Sequence, residues 1–209
     1  MITISSISIK LLMLLPLFKI WSPQDFDFFY LVQQWPGSSC DTTRGCCFPL
    51  TGKPASNFSI HGLWPTVNDG SYPASCSITR NPFNQSMITD LIPRAEKSWP
   101  SLTCAGKKKQ GKRSTALNLK DQVDLLQILQ SNGIKPDGNF YSIVEMTKAI
   151  KQAIGVAPGI TCNTDPFGNL QFNEIYLCVD TSASNFIECP VLPRVIRSCK
   201  EDNVEFPIF

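Results

Sequence analysis

The spacing of hydrophobic and polar positions changes several times along the 209 residues. Phe26 to Gln34 is dense in aromatic and branched side chains and ends at Trp35-Pro36-Gly37, a strand running into a turn. Cys40 to Pro54 is rich in cysteine, glycine and proline and reads as a loop. Phe58 to Leu63 reads as a second strand, stopped by Trp64-Pro65. Asn84 to Trp99 has helical spacing, with Pro93 as a break. Ala116 to Asn132 predicts one helix. Leu119, Val123, Leu126 and Leu129 or Gln130 recur at helical intervals, and Gly133 suits a C-terminal stop. Ser142 to Ile154 predicts another, with Ser142 as N-cap, Glu145 three residues on and Gly155 after the end. Phe172 to Val179, Asn185 to Cys189 and Val204 to Phe209 read as strands. Helices in the middle with strands on either side favour an α+β domain, its sheet antiparallel, over alternating parallel units. No repeat or long linker divides the chain, so 24–209 reads as a single domain.

Composition adds compartment to this picture. Hydrophobic residues make up 43% and charged residues 17%, a globular balance. The net charge of +2 does not argue for nucleic-acid binding. It is unevenly placed: without Lys107, Lys108, Lys109, Lys112 and Arg113 it would be −3. The nine cysteines include no Cys-x-x-Cys pair, and there is one histidine, which disfavours structural zinc. No metal or other cofactor is expected. A disulfide framework made in an oxidising compartment fits better, although an odd count leaves one cysteine over. Lys10 followed by Leu11 to Phe18 has the form of a signal peptide too short to span a bilayer, so residues 1–23 are expected to be removed near Gln24. Lys19 to Pro23 nevertheless offers no small-x-small cleavage site. Asn57-Phe58-Ser59 and Asn84-Gln85-Ser86 are glycosylation sequons. The expected product is a secreted, membrane-free monomer, extracellular or vacuolar.

His61 is the candidate for chemistry. It ends a predicted strand and is followed by Gly62 and Trp64-Pro65. The strand would fix the imidazole, Gly62 would let a ligand approach the backbone, and Trp64 would offer an aromatic wall. Imidazole titrates near neutrality and can give or take a proton during turnover. A lone histidine is equally a satisfied polar residue, and Trp64 equally a core aromatic.

The block Ile60-His61-Gly62-Leu63-Trp64-Pro65 resembles the first conserved block of the ribonuclease T2 family. Asp25 to Gly37 is similar to the mature N-terminus of plant S-like ribonucleases. So are Cys46-Cys47, Asp69 to Pro73, Trp99 to Leu102, Ala149 to Gly155, Pro158 to Ile160, Ile175 to Asp180 and Ile187 to Pro190. The resemblance implies metal-independent cleavage of single-stranded RNA. The ribose 2′-hydroxyl attacks the adjacent phosphorus and leaves a 2′,3′-cyclic phosphate. It implies an acid role for His61 in that step and places Gln34 and Trp64 at the base and phosphate sites. It also implies the pairs Cys40–Cys46, Cys47–Cys104, Cys162–Cys199 and Cys178–Cys189.

One block is missing. The family's second block, His-Glu-Trp-x-Lys-His-Gly-Thr-Cys, supplies the base histidine, a glutamate and a lysine. It is expected between Cys104 and Ala116, where this chain has only Ala105 to Thr115. Its absence would account for both the single histidine and the odd cysteine, since Cys76 would pair with the cysteine that ends the block. The basic run Lys107 to Arg113 has three readings: an electrostatic site for RNA phosphates, a solvated loop bridging the gap, or substitute catalysis. The last is weakest, because lysine is a poor base at neutral pH. RNA cleavage is therefore expected to be lost or severely impaired. The alternative is a non-catalytic RNA-binding or storage protein on the same fold.

Overall fold

The computed structural model describes residues 26–73, 89–102, 104, 113–199 and 202–209. The signal peptide, Cys76, Asn84 and Lys107 to Lys112 lie outside them. The frame is a seven-stranded sheet. Strand β1 (Phe28–Gln34) lies between β2 (Ser59–Thr66) and β5 (Leu170–Val179), antiparallel to both. β5 also pairs antiparallel with β4 (Gly159–Thr164) and β6 (Phe186–Ile187). A single parallel pairing, Gln171 with Glu205, joins it to β7 (Asn203–Glu205), which carries β3 (Phe140–Ser142) beyond it. The helices are α1 (Pro36–Cys40), α2 (Ile92–Ser98), α3 (Arg113–Gln122), α4 (Leu125–Ser131) and α5 (Ile143–Ile154).

β1 is apolar almost throughout because both of its faces are buried. Phe29 and Leu31 join Ile175, Leu177 and Val179 of β5 in the main core, against Leu117, Leu125, Leu129, Met146 and Ile150 of the helices. Phe28, Tyr30, Val32 and Cys178 form a smaller cluster on the other face with Tyr176 and Ile187. The chain end closes the main core. Trp35 is fully buried, packs against Phe58 and Phe206, and donates its indole N–H to the Pro207 carbonyl at 2.8 Å. Four disulfides, Cys40–Cys46, Cys47–Cys104, Cys162–Cys199 and Cys178–Cys189, tie the loops to this frame.

Several expectations change; among them, the terminal strand read over Val204 to Phe209 ends at Glu205 in β7. The helix over Ala116 to Asn132 is two helices, because the Asp124 carboxylate accepts the Gln127 N–H at 3.1 Å and starts α4 afresh. Pro93 opens α2 instead of breaking a helix; in the first turn its missing N–H costs nothing. β2 runs on through Trp64-Pro65, which an edge strand permits. α5 keeps both predicted caps, with Ser142 Oγ accepting from Glu145 N and Gly155 left-handed at φ 84°. No helix among the described residues is long and apolar enough to cross a membrane.

Candidate functional site

The site begins with an irregularity in β2. Ile60 pairs with Gln33 and Gly62 with Val32, so His61 is an extra residue with no partner on β1. A bulge of this kind re-aims its side chain out of the regular alternation. The His61 carbonyl accepts from Trp99 Nε1 at 3.2 Å. The imidazole reaches across β1 to the central strand β5, where Nδ1 lies 2.5 Å from Glu174 Oε1.

Glu174 is held from several sides. Thr161 stands directly opposite it on β4 and donates to Oε2 at 3.4 Å, and the Tyr176 hydroxyl donates to the same oxygen at 3.3 Å. Burial, and after it the negative charge of Glu174, pushes the Tyr176 hydroxyl well above its usual titration range, so it remains a donor. The Glu174 side chain is 11% exposed, and among the described residues its only ion pair is with His61. A buried carboxylate needs such partners to offset its desolvation. His61 is 47% exposed. Among the described residues nothing bonds its Nε2.

The other sequence candidates fall around this pair. Gln34 is half-buried and stands between Ser59 of β2 and Glu174 of β5. Trp64 is not a core aromatic: it is 43% exposed and meets the His61 ring edge-on, with centroids 6.2 Å apart. The expectation for Gly62 is corrected. The space above it is taken by Trp64, whose Nε1 would stand 2.3 Å from a Cβ at that position. Gly62 thus seats the indole instead of admitting a ligand. Asn57 lies apart, its side-chain oxygen accepting the Phe58 N–H at 2.6 Å.

Glu174 was missed in the sequence. Its signal is a single carboxylate in the midst of the apolar run Phe172 to Val179. Among the described residues no group of three or more His, Cys, Asp or Glu is placed to hold a metal.

Fold and site describe a disulfide-bonded α+β protein that presents one carboxylate-held imidazole beside an exposed indole. The chain belongs to the ribonuclease T2 family, whose model matches residues 26–114 and 103–189. It is 46% identical to the extracellular ribonuclease LE of Solanum lycopersicum over 212 aligned positions, covering 89% of each chain. To ribonuclease 1 of Arabidopsis thaliana it is 46% identical over 209 positions, covering 90% of this chain and 89% of that one. The solved structure of RNase NT in complex with 5′-AMP superposes with a TM-score of 0.82 at 42% identity, covering 89% of this chain and all of that one.

Proposed function

We propose that this chain is a ribonuclease T2 family protein carrying half of the RNA-cleaving site, with cleavage of single-stranded RNA lost or severely impaired. The observation that carries the reading is the single imidazole, His61, in a reaction that needs one group to take the 2′-hydroxyl proton and another to protonate the leaving 5′-oxygen. The alignments support an absent segment. That with the Solanum lycopersicum ribonuclease spans 212 positions but takes up 89% of a 209-residue chain, about 186 residues, so about 26 positions face gaps here. The family match divides into two parts that overlap only at 103–114, the stretch where the second block is expected.

His61 supplies the acid in this reading, with Nε2 facing substrate, and Gln34 and Trp64 flank the base and phosphate. Losing one acid–base partner costs about 10²–10⁴ in rate, or roughly 3–5 kcal/mol of barrier. The lost glutamate and lysine would add to that without summing simply. Single-stranded RNA remains the ligand class, with no cofactor, and the protein acts as a monomer. The disulfides fit delivery through the secretory route, with removal of residues 1–23 and glycans on Asn57 and Asn84. The extracellular ribonuclease LE and the intracellular ribonuclease LX of Solanum lycopersicum, the latter 44% identical, illustrate two destinations within the family.

A second reading, a non-catalytic storage or RNA-binding protein, is supported by 26% identity over 182 positions to a ribonuclease-like storage protein of Panax ginseng. Incubating the pure, oxidised protein with single-stranded RNA and following cyclic-phosphate ends tests the loss of activity. We expect at most a trace above the buffer control. Robust formation of those ends, abolished by His61→Ala, would overturn it. Genomic sequence between the codons for Cys104 and Ala116 separates the two readings. An in-frame stretch encoding the second block favours an enzyme that lost it in this transcript. A clean junction with abundant stable protein favours storage or binding.

A further inference from the structure

We infer that Glu174 is the positioning residue for His61, fixing both the ring orientation and the Nδ1–H tautomer so that Nε2 is the nitrogen that exchanges protons with substrate. The inference rests on the reading of His61 as a proton-transfer group and says how the fold prepares it.

The argument starts from the acceptor. An ionised carboxylate can only accept, so the 2.5 Å contact requires a proton on Nδ1 in either charge state of the ring. In the imidazolium, Nδ1–H points at Glu174 and Nε2–H faces outward, ready to protonate a leaving oxygen. In the neutral ring, Nδ1–H stays with Glu174 and the Nε2 lone pair faces outward, ready to take a proton back. One nitrogen thus serves both directions, and the ring need not flip between them. A neutral imidazole in water prefers the opposite tautomer, so the choice is imposed by the neighbour.

The carboxylate is itself fixed. It projects from the central strand, and Thr161 and Tyr176 both donate to the oxygen that His61 does not use. Oε1 is left for Nδ1, on a carboxylate whose side chain is only 11% exposed. The bulge is the complementary device. In a regular register the residue after Ile60 would stand opposite Val32, the place taken by Gly62. The extra residue frees the His61 ring to cross β1 and reach Glu174. Nothing in this arrangement depends on a second histidine, so the half-site is preorganised in the chain as it stands.

The single histidine makes the test direct. In the ¹⁵N-labelled full chain, with disulfides intact, a long-range ¹H–¹⁵N correlation spectrum contains one imidazole. It is recorded at about pH 8.5, roughly two units above the ordinary imidazole pKa. We expect Nδ1 at the pyrrole-type position and Nε2 at the pyridine-type position. In Glu174→Ala, its fold checked by far-UV circular dichroism, the two positions should exchange as the ring relaxes to the Nε2–H form. A wild-type spectrum showing the Nε2–H tautomer or an even mixture would overturn the inference, as would an unchanged pattern in the folded variant. The wild-type spectrum decides by itself if Glu174→Ala does not fold. Because it reads tautomer and not turnover, an RNA-cleaving result would refute the proposed loss of activity without touching this inference.

Discussion

At the scale of single residues, the site is an imidazole whose two neighbours do different work. Glu174 engages Nδ1, while Trp64 lies edge-on to the ring and over Gly62. Gly62→Ala should push the indole aside. Trp64 is exposed enough to yield, so the stability change should stay within about 1 kcal/mol. The His61 ring-proton resonances should shift as the indole leaves, and unshifted resonances would show that Gly62 does not seat Trp64. The local block around His61 was legible because histidine, glycine and tryptophan stand in a short stretch of chain. Glu174 was not legible, because it is 113 residues away from His61 and only the pairing of β1 with both β2 and β5 brings them together.

At the scale of elements, the sequence was clearest where local chemistry decides. α5 has an N-cap serine and a left-handed terminal glycine, and both do what their residue types prefer. The break between α3 and α4 was missed because the apolar spacing continues across it, while a cap is set by a single side chain. Asp124→Ala should cost about 1 kcal/mol, read as a lower denaturant midpoint. A full-strength midpoint would mean the break is held by packing instead. The bulge in β2 was hidden because it shifts the alternation by only one residue. Beside it, Gln33 is fully buried, and among the described residues neither end of its amide has a hydrogen-bond partner. Gln33→Met, of similar volume, should stabilise the fold by about 1–2 kcal/mol. Destabilisation on chemical denaturation would show that the amide is satisfied in solution.

At the scale of the whole molecule, pH response is spread over the loops. Asp180 is held well below the usual carboxylate range by hydrogen bonds from Asn185, Ser184 and Ser182. Asp137 is lowered chiefly by the Asn139 N–H, and Asp69 by hydrogen bonds from Ser71. A carboxyl lowered by folding stabilises above its ordinary pKa, and that contribution is lost as pH falls through the folded value. Glu205, raised by burial and by the charges of Asp165 and Asp41, works in the opposite direction. Asp165 is lowered too, by hydrogen bonds from Asn169, Phe167 and Gly168 that outweigh its desolvation. Four against one, the unfolding temperature should fall as pH drops below about 4, and Asp180→Asn should flatten part of that fall. A midpoint independent of pH there would contradict the assignment.

The fold class was legible at this scale because helices and strands segregate along the chain. The order of strands was not, since β5 takes partners from nearly every part of the sequence. Family membership rests on matches over most of the chain, whereas the proposed loss of activity rests on a single imidazole. The most direct test is the cleavage rate of single-stranded RNA by the oxidised protein, measured beside His61→Ala and beside the extracellular ribonuclease LE of Solanum lycopersicum. The account predicts a rate at least about 10²–10⁴-fold below that relative and scarcely changed by His61→Ala. A rate within tenfold of the relative, abolished by His61→Ala, would contradict it.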